Sequence, residues 1–475
     1  MCSSSSMPVR LCRRGQQVDK LSPVKCNASS QFGRRAFLQL SGLAAAGSYL
    51  GPLASGAEPA SPAPRATHTL RIRQSEVELA PGRHITTTTY NGQLPGPPLR
   101  VTVGQQVRVD VYNETDTTEQ IHWQGQSLAD ATTAIIPAHS WRRMEFTPEH
   151  AGLYLYHSQV VAATDLGAGL YSGQAGALLV EPGHHPGRYD REWLVVLKGC
   201  EPFMRRTGRG YEVGYSALTV NGRLPGCSPP LRVNTGDRVL LHVLNAGATE
   251  VYCLELPGHV FEVTALDGYS VPLPVRVAAL HLAPGQRVSA YVVMSQPGAW
   301  RVREAGDSML DLGDFRAAGL GERGTPLAGG TLGSATPAGA MFAGATLGNV
   351  TPAGAEFADA TFAMVLARHP AARSGLNRWS VNGVSFSSAD PQPAFRVRAG
   401  LRYRLQIHNT SDEVIPLHLR GHRLQMHGVL RDVVAIGAQQ RVEVDFLAEG
   451  RGPAAFHSTK QLHADFGLRA LFDYT

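Results

Sequence analysis

The residues of this chain best suited to chemistry are histidines gathered in four short segments. These are Ile121-His122-Trp123-Gln124-Gly125, Tyr156-His157-Ser158-Gln159, the run IPLHLRGH from Ile415 to His422, and HSTKQLHADFGL from His457 to Leu468. A neutral imidazole offers a nitrogen lone pair, and a site of such donors with open positions suits copper or zinc. Buried imidazoles are commonly just hydrogen-bonded members of a core. No cysteine accompanies the four segments. Cys200, Cys227 and Cys253 lack ligand-like spacing, and one disulfide plus one buried thiol is the expectation for them.

The elements that must position these histidines are strands. Short alternating runs rich in Val, Leu and Thr, such as LRVTVGQQVRVDVYN at 99–113, are punctuated by Gly, Pro and Asn as in an antiparallel sandwich. One pattern is written three times. Asn91-Gly92, Asn221-Gly222 and Asn382-Gly383 each precede an alternating strand, a turn at Gly104, Gly236 or Gly400, a second strand, and a closing Asn113, Asn245 or Asn409. Three repeats predict three copies of one β-sandwich domain, at 66–182, 190–305 and 360–475. Between the last two, 306–359 carries large apolar or Pro residues every five positions (Leu327, Leu332, Pro337, Phe342, Leu347, Pro352) and reads as a low-complexity linker.

Residues 1–57 read as an address. Arg34-Arg35-Ala36-Phe37-Leu38 is a twin-arginine signature ahead of a weakly apolar run broken by Gly42, Gly47, Gly51 and Pro52, too short and broken to anchor in a bilayer. The stretch before it is rich in Ser and Arg and ends in Val24-Lys25-Cys26-Asn27-Ala28, like a plastid transit peptide. The expected destination is the thylakoid lumen, with a bacterial periplasm as the alternative. Of 44 basic and 38 acidic residues, seven and one fall in 1–57, leaving 37 of each beyond it. A neutral mature chain gives no support to a nucleic-acid partner. No integral membrane segment is expected in it; a protein partner is compatible with the sequence but not identified by it.

In order, spacing and flanks the four histidine segments resemble the copper-binding motifs of the multicopper oxidases. The resemblance spans nearly the whole mature chain and implies an all-β fold of three cupredoxin-like Greek-key β-sandwich domains, with copper ligands in the first and third. It also marks what has been lost. Gln124, Gln159, Arg420 and Thr459 stand where trinuclear-cluster histidines are expected, Ser458 where the blue-copper cysteine is expected, and Ile415 where its histidine is expected. His122 and His418 correspond to the type 2 ligands, and His157 and His457 to one ligand each of the type 3 pair. His463 and the axial Leu468 are an isolated remnant of the blue-copper site.

A serine hydroxyl cannot replace a thiolate as a soft copper ligand, and arginine keeps its proton and charge. Four-electron reduction of dioxygen is therefore not expected, and the cofactor expectation is no copper or at most one ion. Two readings follow. In one, the chain is a non-catalytic binding or scaffold protein whose histidines are satisfied by Gln124, Gln159, Thr459 and buried water, with Gln124 and Gln159 accepting hydrogen bonds from Arg420. In the other, His122, His418, His157 and His457 seat one type 2-like metal, with Asp130 orienting its water, in a copper-dependent oxidoreductase. His259, His422 and His427 read as structural.

Overall fold

In the computed structural model, which describes residues 65–129, 134–183, 189–304, 311–318, 357–370, 376–450 and 452–475, three sandwiches follow one another along the chain. The leader, most of the five-residue-period segment and Asp130 lie outside the described residues. The first sandwich pairs a four-stranded with a five-stranded sheet; the second and third each pair six strands with five.

Each sandwich contains two parallel pairings, a departure from the purely antiparallel expectation. The opening strands His68–Ala80, Arg191–Thr207 and Ala360–His369 run parallel to Val107–Asn113, Arg238–Asn245 and Arg402–Asn409. The second sheets close in the same way, by Gly96–Thr102 on Ala175–Glu181, Leu231–Asn234 on Asp311–Ala318, and Phe395–Val397 on Arg469–Tyr474. A parallel pair needs a long crossover, so these pairings stitch distant parts of each repeat together. The second sandwich consequently ends later than expected. Asp311–Ala318 pairs with Gly298–Glu304 as well, so a boundary at 305 cuts off that sandwich's last strand and assigns it to the linker.

The repeated residues have identifiable work. Asn91, Asn221 and Asn382 take positive φ in the turns. Their amide oxygens accept from the backbone N–H of Arg71, Val196 and Val365 at 2.6, 2.8 and 2.7 Å. Asn113, Asn245 and Asn409 are buried, and each donates to carbonyls of the two segments that follow, as Asn409 does to Glu413, Ile436 and Gly437. A polar side chain buried this way must be paired, which fixes the loop around it.

Alternation then aims the histidines. In Glu119–Gln124, Ile121 and Trp123 enter the first core, leaving His122 and Gln124 on the opposite face. In Ile415–Leu419, Ile415, Leu417 and Leu419 enter the third core and His418 faces away. The neighbouring strands present His157 directly across from His122, and His457 directly across from His418.

The expected disulfide does not form among the described residues. Cys200 is buried beside Thr219, and Cys253 lies 3.4 Å from the Nε2 of its cross-strand partner His281.

Candidate functional site

The four imidazoles meet between the first and third sandwiches, all buried. His122 Nε2 and His418 Nε2 are 3.3 Å apart, and the ring centroids of His122–His157 and His418–His457 lie 5.4 and 5.5 Å apart, edge to face. Hydrogen bonds set the tautomers. His157 and His457 donate from Nδ1 to the carbonyls of Ser158 and Ser458 at 2.7 and 2.9 Å, leaving Nε2 as acceptor. His418 Nδ1 faces two acceptors of Asp432, the carbonyl at 3.0 Å and the carboxylate at 3.1 Å, and so carries its proton there. With His418 protonated at Nδ1, its Nε2 can accept a hydrogen bond from His122 Nε2.

Burial first, then the charge of Arg420, holds His122 well below the ordinary imidazole value. Burial likewise lowers His457 well below it and brings His157 to about 4. These rings resist taking up a second proton.

The residues standing in ligand positions are turned to other work. Thr459 donates to the Pro284 carbonyl at 2.6 Å. Gln124 reaches the Gly285 carbonyl at 3.4 Å and also the Asp432 carboxylate. Gln159 donates to His457 Nε2 at 3.4 Å, while its carbonyl oxygen is buried without a partner. The expected network from Arg420 to Gln124 and Gln159 is not formed. The Arg420 guanidinium makes no hydrogen bond or ion pair among the described residues; its charge acts on His122 through space.

At the remnant blue-copper position stands a hydrogen-bonded chain. Lys460 N–H donates to Ser458 Oγ at 3.2 Å, and Ser458 Oγ lies 3.4 Å from His463 Nδ1. His463 Nε2 donates to Glu413 at 3.2 Å, and Trp379 stacks on the imidazole with centroids 3.9 Å apart. Burial would raise the Glu413 carboxyl, but His463 and Lys460 hold it far below the usual range. His463 itself is lowered by burial to about 4. Ile415 and Leu468 close this pocket with hydrocarbon, both fully buried.

The sequence reading missed the middle sandwich's part in the site. Arg287, fully buried, donates to Asp432 and to the Gly285 carbonyl, both at 2.9 Å, to the Asp267 carbonyl at 2.8 Å, and to the Leu153 carbonyl at 3.2 Å. Asp267 in turn accepts from the backbone N–H of Val433 at 3.0 Å. Burial alone would raise Asp432, but His418 and Arg287 hold its carboxyl well below the usual range. The available signal was charge placed against largely apolar runs, the Arg431-Asp432 pair in VLRDVVAI and Arg287 at the head of RVSAYVV.

These donors do not fit a trinuclear copper cluster. Among the described residues no three His, Cys, Asp or Glu side chains converge as a metal-holding group. His122 and His418 have the spacing of two nitrogens on one ion bonded at about 2.0–2.1 Å, and no more than two donors are offered at that point. His259 and His422 are structural: His259 packs edge-on against Trp300, and His422 bonds the Arg420 carbonyl and the Tyr474 hydroxyl.

Comparison with known proteins agrees with this architecture. The chain is 27% identical to multicopper oxidase MmcO of Mycobacterium tuberculosis, covering 94% of this chain and 97% of that one. It is 31% identical to rice laccase-15 over 45% of this chain and 39% of that one. Cell division protein FtsP of Sodalis glossinidius is 29% identical over 56% of this chain and 60% of its own. In fold it superposes on the crystal structure of a multi-copper oxidase from Pseudomonas thermotolerans with a TM-score of 0.67 at 23% identity, covering 86% of this chain and all of that one. Family models described as multicopper oxidase match residues 71–185, 202–314 and 363–475 in turn, and the chain belongs to the multicopper oxidase family.

Proposed function

We propose that this chain is a member of the multicopper oxidase family that works without copper, as a non-catalytic binding or scaffold protein after export. The observation that carries this is the chain from Lys460 through Ser458 and His463 to Glu413, which fills the blue-copper position with complete hydrogen bonding. An electron entering the family's cluster needs a copper–thiolate there, and a hydroxyl that gives its proton to an imidazole is no substitute. The similarity to a protein named for cell division supports a role that requires the fold and its surface.

The test is to load the purified protein with copper and assay oxidation of phenols, diamines and ferrous iron. No blue colour and no dioxygen consumption above the copper blank are expected. Oxidase activity that rises with bound copper would make the chain an enzyme and overturn the reading.

Export rests on Arg34 and Arg35, with the thylakoid lumen as the proposed destination and a periplasm as the alternative. Replacing both arginines with lysine should leave folded protein on the near side of the membrane. Undiminished export of that variant would refute the twin-arginine route. Among the described residues no helix is long and apolar enough to cross a membrane.

A further inference from the structure

Away from the histidines, a cavity of about 140 Å³ lies between the first and second sandwiches. Its wall includes Thr87, Leu94, Tyr171, Gly173, Lys198 and Cys200. Lys198 is 1% exposed and forms no ion pair among the described residues. Its ammonium donates to the carbonyls of Leu170 at 2.8 Å and Ala246 at 3.3 Å, which leaves one of its three N–H groups to give. Tyr171 is 2% exposed and its hydroxyl is buried with no hydrogen-bond partner. Thr87 accepts from the Gly173 N–H at 3.1 Å and keeps its own hydroxyl hydrogen to donate. The one acid on the wall, Glu201, turns its carboxylate to Arg83 at 2.6 Å.

An uncompensated buried ammonium and an orphaned buried hydroxyl are each costly, and both are relieved by an acceptor that carries negative charge. The volume accommodates several water-sized groups, more than a single bridging water requires. We propose that this cavity binds a small oxyanion, a carboxylate or phosphate, with Lys198 supplying the charge and Tyr171 and Thr87 donating hydrogen bonds. Burial, offset in part by Cys200, lowers the Lys198 ammonium to about 8, which leaves it largely protonated at neutral pH. The proposal goes beyond the copper-free reading and does not depend on it, because no histidine of the four segments borders this cavity.

The experiment is calorimetric titration of the full chain with inorganic phosphate and, separately, with acetate, using the wild type, Tyr171→Phe and Lys198→Met. One site per chain is expected for at least one of the two anions, and which one binds identifies the ligand class. Tyr171→Phe should weaken binding about tenfold, the worth of one hydrogen bond to a charged group. It should melt at the wild-type temperature without anion, since its hydroxyl has no partner to lose. Lys198→Met should abolish binding. Failure of both anions to bind the wild type overturns the proposal, and so does wild-type affinity in the Tyr171→Phe protein.

Discussion

Arg287 is held by four hydrogen bonds whose acceptors, Leu153, Gly285, Asp267 and Asp432, come from all three sandwiches. Through Asp432 it also orients His418, whose Nε2 faces that of His122. Removing one partner of a buried ion pair strands the other, at a cost of about 3–5 kcal/mol. Arg287→Met should therefore lower the urea midpoint by a corresponding amount. Adding Asp432→Asn should cost less than the two single changes summed, because the charge being stranded is then gone. Simple additivity of the two changes would show that the pair does not act as one unit. Neither residue lies in a family motif, which is why motif spacing pointed to the imidazoles and passed over the group that fixes them. Ser458 is the reverse case. Its identity in the sequence was enough to exclude a thiolate, and the hydrogen-bonded chain to Glu413 shows what the exclusion led to.

The three Asn-Gly turns are the same element in three settings. Gly222 and Gly383 both have positive φ, at 79° and 80°. A Cβ on Gly383 meets nothing within 4 Å, whereas one on Gly222 collides with the Leu94 carbonyl oxygen of the first sandwich. Gly383→Ala should cost only the left-handed backbone penalty, about 1–2 kcal/mol. Gly222→Ala must also push two sandwiches apart, and its loss of stability in thermal melts should be several-fold larger. Equal losses would mean the first and second sandwiches are not seated on each other at this turn. The turns, the alternation and the buried Asn latches were legible because they are local, repeated three times, and built from residue types with narrow conformational uses. The two parallel pairings per sandwich were not, since the partners are far apart in sequence. The strand Asp311–Ala318 was missed for a different reason: it pairs with the nearby Gly298–Glu304, but DLGDFRAA holds two Asp and a Gly, residue types poor in strands.

At the scale of the whole molecule, the first and third sandwiches contribute the imidazoles and the second acts as the strut behind them, through Pro284, Gly285, Arg287 and Asp267. The arrangement brings the histidine segments together at an interface joined by hydrogen bonds. Interfaces of this kind depend on packed groups and on buried polar contacts that hold only when both partners are present. The convergence of His122 and His418 was legible from the resemblance of the four segments to the family's motifs. The idle Arg420 was not, because a guanidinium's neighbours depend on where its long stem goes. The most direct measurement is copper per chain, by elemental analysis after loading with excess copper and dialysis, on the wild type and on Arg420→His. The account predicts at most one copper in the wild type, with higher copper affinity in Arg420→His once the fixed charge beside His122 is removed. Several coppers per wild-type chain would contradict it.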